Sequence, residues 1–486
     1  MHAPQLLVVG CLLAVASNAA IAQRAPRAGR IAAFAPQRAP LRRLPPVEEV
    51  QTAALVEEVE EIAPPRPPQK APWEAPLPPR LLVDDVSRSL SRQPQTPPIE
   101  TLPAQAPQRQ APMQLLNGQD GANQGPGFNF YSPPSDFQNA LPIPNTNAYF
   151  KIGGYVKVDL IHDLNAIGST DSFVTSTIPT SGPQRRNTRI HARQTRINLD
   201  TRWDTPKDTV RLFVEGDFFS DGDRFRLRHA YGQIGPWTAG QTWTTFTDIA
   251  VLPQTLDFEG SVASVALRRG LIRYETPLWF EGLTAAASVE DPREILELPP
   301  GVTGRNITDT PDFVARVRQQ TDWSQWQLAV VYRLLGFQPT GRPTVTADAW
   351  GLNFGSYVDP TAADRLSLQI LYGKGIGSFR GLPDVAPISM TEADLLENFA
   401  LTAGYTHQWT ERHTSNFTFA RSVIPNLPGQ LPDELHSTQY VAMNFIANPL
   451  ERVFWGVEYL WGQRIDISRA TGDANRLQFS AFYYLP

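Results

Sequence analysis

Phe150-Lys151-Ile152-Gly153-Gly154-Tyr155-Val156-Lys157-Val158-Asp159-Leu160 alternates apolar and polar residues. In an extended chain successive Cβ atoms point to opposite sides. Phe150, Ile152, Val156, Val158 and Leu160 therefore share one face, and Lys151, Tyr155, Lys157 and Asp159 share the other. A wall with lipid on one side and water on the other needs this division. The pattern returns near the end of the chain. Val453, Trp455, Val457, Tyr459 and Trp461 stand against Arg452, Gly456, Glu458 and Arg464, and Leu477, Phe479, Ala481 and Tyr483 oppose Arg476, Gln478, Ser480 and Phe482. Between Ala148 and Pro486 about sixteen such segments occur, which predicts an all-β, antiparallel, up-and-down transmembrane barrel over 148–486.

The connections alternate in length. Short ones fall at Asp204 to Asp208, Gly235-Pro236, Pro277 to Gly282, Asp322 to Gln325, Asp359 to Asp364, Thr410 to His413 and Asn448-Pro449. Longer ones fall near Asn165 to Gln184, Thr244 to Ala263, Pro292 to Pro311, Phe337 to Pro343, Phe379 to Leu396, Pro425 to Glu434 and Ser468 to Ala474. Tight periplasmic turns and longer outer loops give a barrel this rhythm. Trp203, Trp237, Trp243, Trp279, Trp323, Trp350, Trp409 and Trp461 lie near strand ends, as interfacial aromatic girdles require.

The first 147 residues read differently. Leu6 to Val15 is an apolar run too short to span a bilayer, and Ala20-Ile21-Ala22 supplies small residues for cleavage, so 1–22 is expected to be a signal peptide. The single cysteine, Cys11, lies inside it, which leaves the mature chain without disulfide or thiolate chemistry. More than half of the 45 prolines precede residue 150. A disordered periplasmic arm is expected over 23–147. Within it Val47 to Ile62 has the pattern of one short helix, either transient or bundled with copies of itself. A formal net charge of -5 on 486 residues gives no support to a nucleic-acid partner.

Parity also assigns an inside. Arg196 alternates with Ile197; Arg211, Glu215 and Asp217 oppose Leu212, Val214 and Gly216; Arg224, Arg226 and Arg228 oppose Phe225 and Leu227; Arg316 and Arg318 alternate with Ala315 and Val317. The face of Arg269 and Arg273 is ambiguous, because Leu271 shares it. A lipid-facing Arg or Lys at mid-membrane costs about 2–4 kcal/mol, so these arginines are expected to line water, a subunit contact or a loop end. Two readings stay open. In one, the arginines pair with Asp and Glu and stiffen the wall. In the other, Arg196, Arg211, Arg226, Arg228, Arg316 and Arg318 line the pore and draw small anionic solutes inward. The loop 244–263 mixes Asp248, Asp257 and Glu259 with Ile249, Val251, Leu252, Leu256 and Phe258. Apolar residues in an outer loop suggest one tucked into the barrel, with its acids set across an eyelet from the arginines.

Val214-Glu215-Gly216-Asp217-Phe218-Phe219, Phe225-Arg226-Leu227-Arg228-His229-Ala230-Tyr231-Gly232 and Ala239-Gly240-Gln241-Thr242-Trp243-Thr244-Thr245-Phe246 resemble the DcaP-like porins of bacterial outer membranes. Ile152 to Asp159 and Gln194 to Asn198 are similar to that family's first and second strands. The resemblance implies a trimer of sixteen-stranded barrels in outer-membrane lipid, passing small hydrophilic solutes with a preference for anions such as dicarboxylates. It also implies that Arg196, Arg211, Arg226 and Arg228 line the pore. The chain departs from the family in its proline-rich arm, where a helical coiled coil is usual, and in its end, Tyr483-Tyr484-Leu485-Pro486, which displaces the terminal aromatic inward.

Other classes fit less well. No His pair at metal-binding helical spacing, no Gly-x-Ser-x-Gly and no phosphate-binding glycine loop occur in the sequence, so neither an enzyme nor a cofactor or metal site is expected. The alternative function is a structural envelope protein, its arm contacting peptidoglycan or a partner and its barrel serving as an anchor.

Overall fold

Alternation becomes architecture directly. The computed structural model describes residues 31–32, 137 and 140–485, and in it sixteen antiparallel strands close into a barrel. They are β1 (Ala148–Asp163), β2 in two pieces (Asn187–His191 and Arg196–Asp204), β3 (Thr209–Asp217), β4 (Arg226–Ile234), β5 (Trp237–Trp243), β6 (Arg268–Pro277), β7 (Leu283–Glu290), β8 in two pieces (Gly304–Ile307 and Asp312–Gln320), β9 (Ser324–Pro339), β10 (Val345–Val358), β11 (Asp364–Lys374), β12 (Glu397–Thr410), β13 (His413–Val423), β14 (Leu435–Leu450), β15 (Val453–Asp466) and β16 (Thr471–Tyr484). Each pairs with its chain neighbours, and β16 returns to β1 in a register running from Arg476↔Asp163 to Tyr484↔Tyr155. Closure leaves the wall no open edge.

Ile152, Val156, Leu160, Leu212, Val214, Leu477 and Phe479 are exposed on the outer face, while Lys157, Asp159, Glu215, Asp217, Arg476 and Gln478 are buried inside. Arg269, Arg273 and Leu271 all turn inward. At Gly154 the backbone takes φ +127°, and a Cβ there would sit 2.2 Å from the Arg196 carbonyl oxygen. Only glycine accepts that conformation and that approach.

Three features differ from simple parity. A bulge at Glu215/Gly216 leaves Arg228 opposite no residue of β3, so Arg228 and His229 are both buried. The turn between β14 and β15 is Glu451-Arg452, not Asn448-Pro449. Arg452 supplies the left-handed residue (φ 63°) that closes it, and Asn448 and Pro449 lie within β14 beside a register shift. Trp243 is not in a girdle. It is 5% exposed and faces inward, unlike Trp237, Trp279, Trp323 and Trp409.

Much of the interior is apolar. Phe173 and Ile178 from the loop after β1, Phe246 from the loop after β5, and Ile376 and Phe379 from the loop after β11 form one cluster with Val314, Val331, Leu371, Ala400, Ala420 and Leu460 of the wall. Burial of a large apolar side chain stabilises by about 1.5–3 kcal/mol, which holds these loops inside. Besides the sixteen strands, Ile31–Ala32 pairs with Glu392–Ala393 of the β11–β12 loop, and Leu141–Pro142 pairs with Tyr149–Phe150. The signal peptide, its cleavage point, Cys11, the 47–62 helix and most of the proline-rich arm lie outside the described residues.

Candidate pore constriction

The loop from Thr244 to Leu267 crosses the lumen and is gripped at both ends of its path. Near β9 and β10, Asn353 Nδ2 donates to the Phe246 carbonyl at 2.7 Å, and Gln327 Nε2 donates to that of Thr247 at 3.2 Å. On the far side the Leu256 and Asp257 N–H groups donate to Glu458 of β15 at 3.0 and 2.8 Å. The Leu256 carbonyl accepts from Lys157 Nζ of β1 at 2.6 Å and Gln478 Nε2 of β16 at 3.0 Å. Asn444 Nδ2 of β14 donates to the Gln254 carbonyl at 2.8 Å. A loop inside a barrel must satisfy its backbone on the wall, and these inward amides and ions do so.

The three loop acids have separate fates. Asp248 is fully buried, accepts from Gln325 Nε2 at 3.0 Å and lies 3.5 Å from Arg318 Nη2. Asp257 is 2% exposed, accepts from the N–H of Phe173 at 2.8 Å and of Gly260 at 3.1 Å, and meets Arg476 Nη1 at 3.3 Å. Both fasten the loop. Glu259 keeps an exposed side chain and borders a cavity between the loop and the wall.

All six arginines singled out by parity turn inward, and each has a carboxylate partner. Arg211 meets Asp200 at 2.7 Å, Arg226 meets Asp217 at 2.7 Å, and Arg228 meets Glu215 and Asp217 at 2.8 Å each. Arg196 lies 3.8 Å from Glu215, Arg316 lies 2.6 Å from Glu275, and Arg318 takes Asp248. Hydrogen-bonded pairs of this kind satisfy both charges at the cost of desolvation.

A cavity of about 240 Å³ remains between the loop and the wall. Arg196, Arg228, Arg268 and Arg380 border it with Glu259, Trp243, Phe258 and Phe379. Arg211, Arg226, Arg316 and Arg318 are not among its lining residues, though Arg226 lies over the Phe258 ring at 5.3 Å. Arg268 lies over the Trp243 ring at 4.3 Å, and Phe258 stacks on Phe219 at 3.9 Å.

Sequence reasoning placed a longer connection at Phe379 to Leu396 but missed its inward course and Arg380. Arg333 of β9 donates to Asp312 at 3.0 Å, to the Gly375 carbonyl at 2.7 Å and to Asp384 at 3.1 Å. That fastens the β11–β12 loop inside, where Phe379 packs on Phe246 with ring centroids 5.0 Å apart. The available signal was Ile376-Gly377-Ser378-Phe379, an apolar pair in an outer loop, the same clue that marked 244–263.

A closed sixteen-stranded barrel narrowed from within by its own loops defines a porin-type protein of the outer membrane. Residues 112–279 match the family described as DcaP outer membrane protein, so the resemblance to the DcaP-like porins stands. No curated protein matches the chain. Among solved structures, the outer membrane channel DcaP of Acinetobacter baumannii superposes with a TM-score of 0.63 at 20% identity, over 70% of this chain and 98% of that one. An anion-selective porin from Comamonas acidovorans aligns with a TM-score of 0.47 at 10% identity, over 70% of this chain and 100% of that one. OmpF of Salmonella typhi gives 0.47 at 11%, over 71% and 99%. The likeness to the DcaP channel is one of fold.

Proposed function

We propose that the chain is a passive porin for small hydrophilic solutes that favours anions such as dicarboxylates, with an eyelet narrowed by loop 244–263. The carrying observation is the composition of the opening: four arginines, Arg196, Arg228, Arg268 and Arg380, against one bordering carboxylate, Glu259. Basic rings at close quarters favour anions, and a charged cleft in a low-dielectric wall concentrates counter-ions. The same reading includes a cleaved signal peptide, a periplasmic arm and a homotrimer. Planar-bilayer recording of the full-length protein under a potassium chloride gradient tests it. The expected reversal potential has the sign of anion preference, and added succinate should partly block the current. A reversal potential of the opposite sign would sink the proposal.

A further inference from the structure

The wall arginines and Arg380 differ in what surrounds them. A guanidinium held against a carboxylate presents a passing ion with nearly cancelling fields. Arg211 shares Asp200 with Arg202, Arg226 shares Asp217 with Arg228, and Arg316 shares Glu275 with Arg273, so each wall guanidinium is screened in part. Arg380 ends the short turn Gly377–Arg380 and borders the cavity. Its Nη1 donates to Ser422 Oγ at 2.8 Å and its Nη2 to Asn398 Oδ1 at 3.1 Å. Both acceptors are neutral, and Nε is buried without a hydrogen-bond partner. No Asp or Glu among the described residues forms an ion pair with it.

We infer that Arg380, rather than the arginine ladder of the wall, sets the charge preference of the eyelet, in opposition to Glu259. The inference rests on the anion-favouring function proposed above and names the residue that determines it. A unit charge about 7 Å from an ion's path, in a water-like dielectric, interacts with it by about RT. Anion entry rises and cation entry falls by about 2.7-fold each, so one such charge changes the anion-to-cation permeability ratio by about seven-fold.

The test is the permeability ratio of the full-length protein in planar bilayers, with barrel assembly checked by heat-modifiable gel migration. Arg380→Gln should lower the ratio by about seven-fold, and Arg380→Lys should hold it within about two-fold. Removing a wall pair in the double variant Arg316→Gln/Glu275→Gln should also hold it within about two-fold, because net charge is unchanged. Glu259→Gln should raise the ratio, which keeps the inference testable if Arg380→Gln fails to assemble. The inference is overturned if Arg380→Gln stays within two-fold of wild type, if Arg380→Lys falls as far as Arg380→Gln, if the double variant falls that far, or if Glu259→Gln leaves the ratio unmoved. A wild-type protein that prefers cations defeats the function reading itself, whatever the variants do.

Discussion

Replacing Glu458 with Ala should free the middle of the constriction loop while leaving the barrel closed. Glu458 is 3% exposed and receives three donors: the Leu256 N–H at 3.0 Å, the Asp257 N–H at 2.8 Å and Asn444 Nδ2 at 2.9 Å. A hydrogen bond to a charged group contributes about 1.5–3 kcal/mol, so the two backbone bonds hold the loop by about 3–6 kcal/mol before desolvation of the carboxylate is counted. Even the lower figure, halved, shifts a two-state loop by roughly ten-fold toward release. The anchors at Phe246 and Thr247 remain, as do the wall pairings of β14 with β15 and of β15 with β16. The variant should therefore assemble normally yet show higher single-channel conductance and more open-channel noise. Wild-type conductance and noise in an assembled Glu458→Ala channel would refute the account of how the loop is held.

Gly404 faces the same loop from β12, where a Cβ would lie 2.5 Å from Pro253 Cγ. Gly404→Val should displace the loop and raise conductance, and an unchanged channel would show that the loop is not seated there. Arg333→Ala leaves Asp312 and Asp384 buried without their main cation, a loss of about 3–5 kcal/mol. Faster proteolysis within 375–396 should report release of the β11–β12 loop, and wild-type resistance would count against the anchor. The outer loops should respond to pH through Glu297. Burial, then the nearby Glu434, pushes its carboxyl from 4.5 up to about 7. A raised carboxyl adds stability that is full below about 4.5 and lost as pH rises through about 7. After correction for the base-catalysed rise of the intrinsic amide rate, protection from hydrogen exchange over 291–303 should fall between pH 5 and pH 8, and Glu297→Gln should flatten that dependence.

The barrel was legible because its cause is local. Each lipid-facing position must be apolar, so Val156, Val158 and Leu160 announce their side of the wall without reference to any distant residue. The departures have causes that parity does not carry. At the bulge near Glu215, a single unpaired residue turns Arg228 and His229 the same way, and the extra residue is visible only once β3 and β4 are aligned. Pro449 reads as a turn residue, yet the bend is made by Arg452 two residues past Asn448–Leu450, with the proline inside an irregular stretch of β14. The interior was partly legible. Inward arginines follow from alternation, but their carboxylate partners come from other strands, as Arg316 of β8 takes Glu275 of β6, two strands away. Arg380 sits in a loop where no periodicity applies, so its place beside the cavity follows from Arg333 and Asp384 holding the loop and from its own bonds to Ser422 and Asn398.

The apolar lining has a consequence for any attempt to widen this channel. Val314, Val331, Leu371 and Leu460 are covered by loop residues such as Phe173, Phe246 and Phe379. Cutting those loops away would bare that apolar patch to lumen water beside charged wall positions such as Arg316, Arg318 and Arg476. Apolar stretches of a pore wall resist wetting, so a widened channel would gain most from polar substitutions at Val314, Val331, Leu371 and Leu460 made together with the loop deletion.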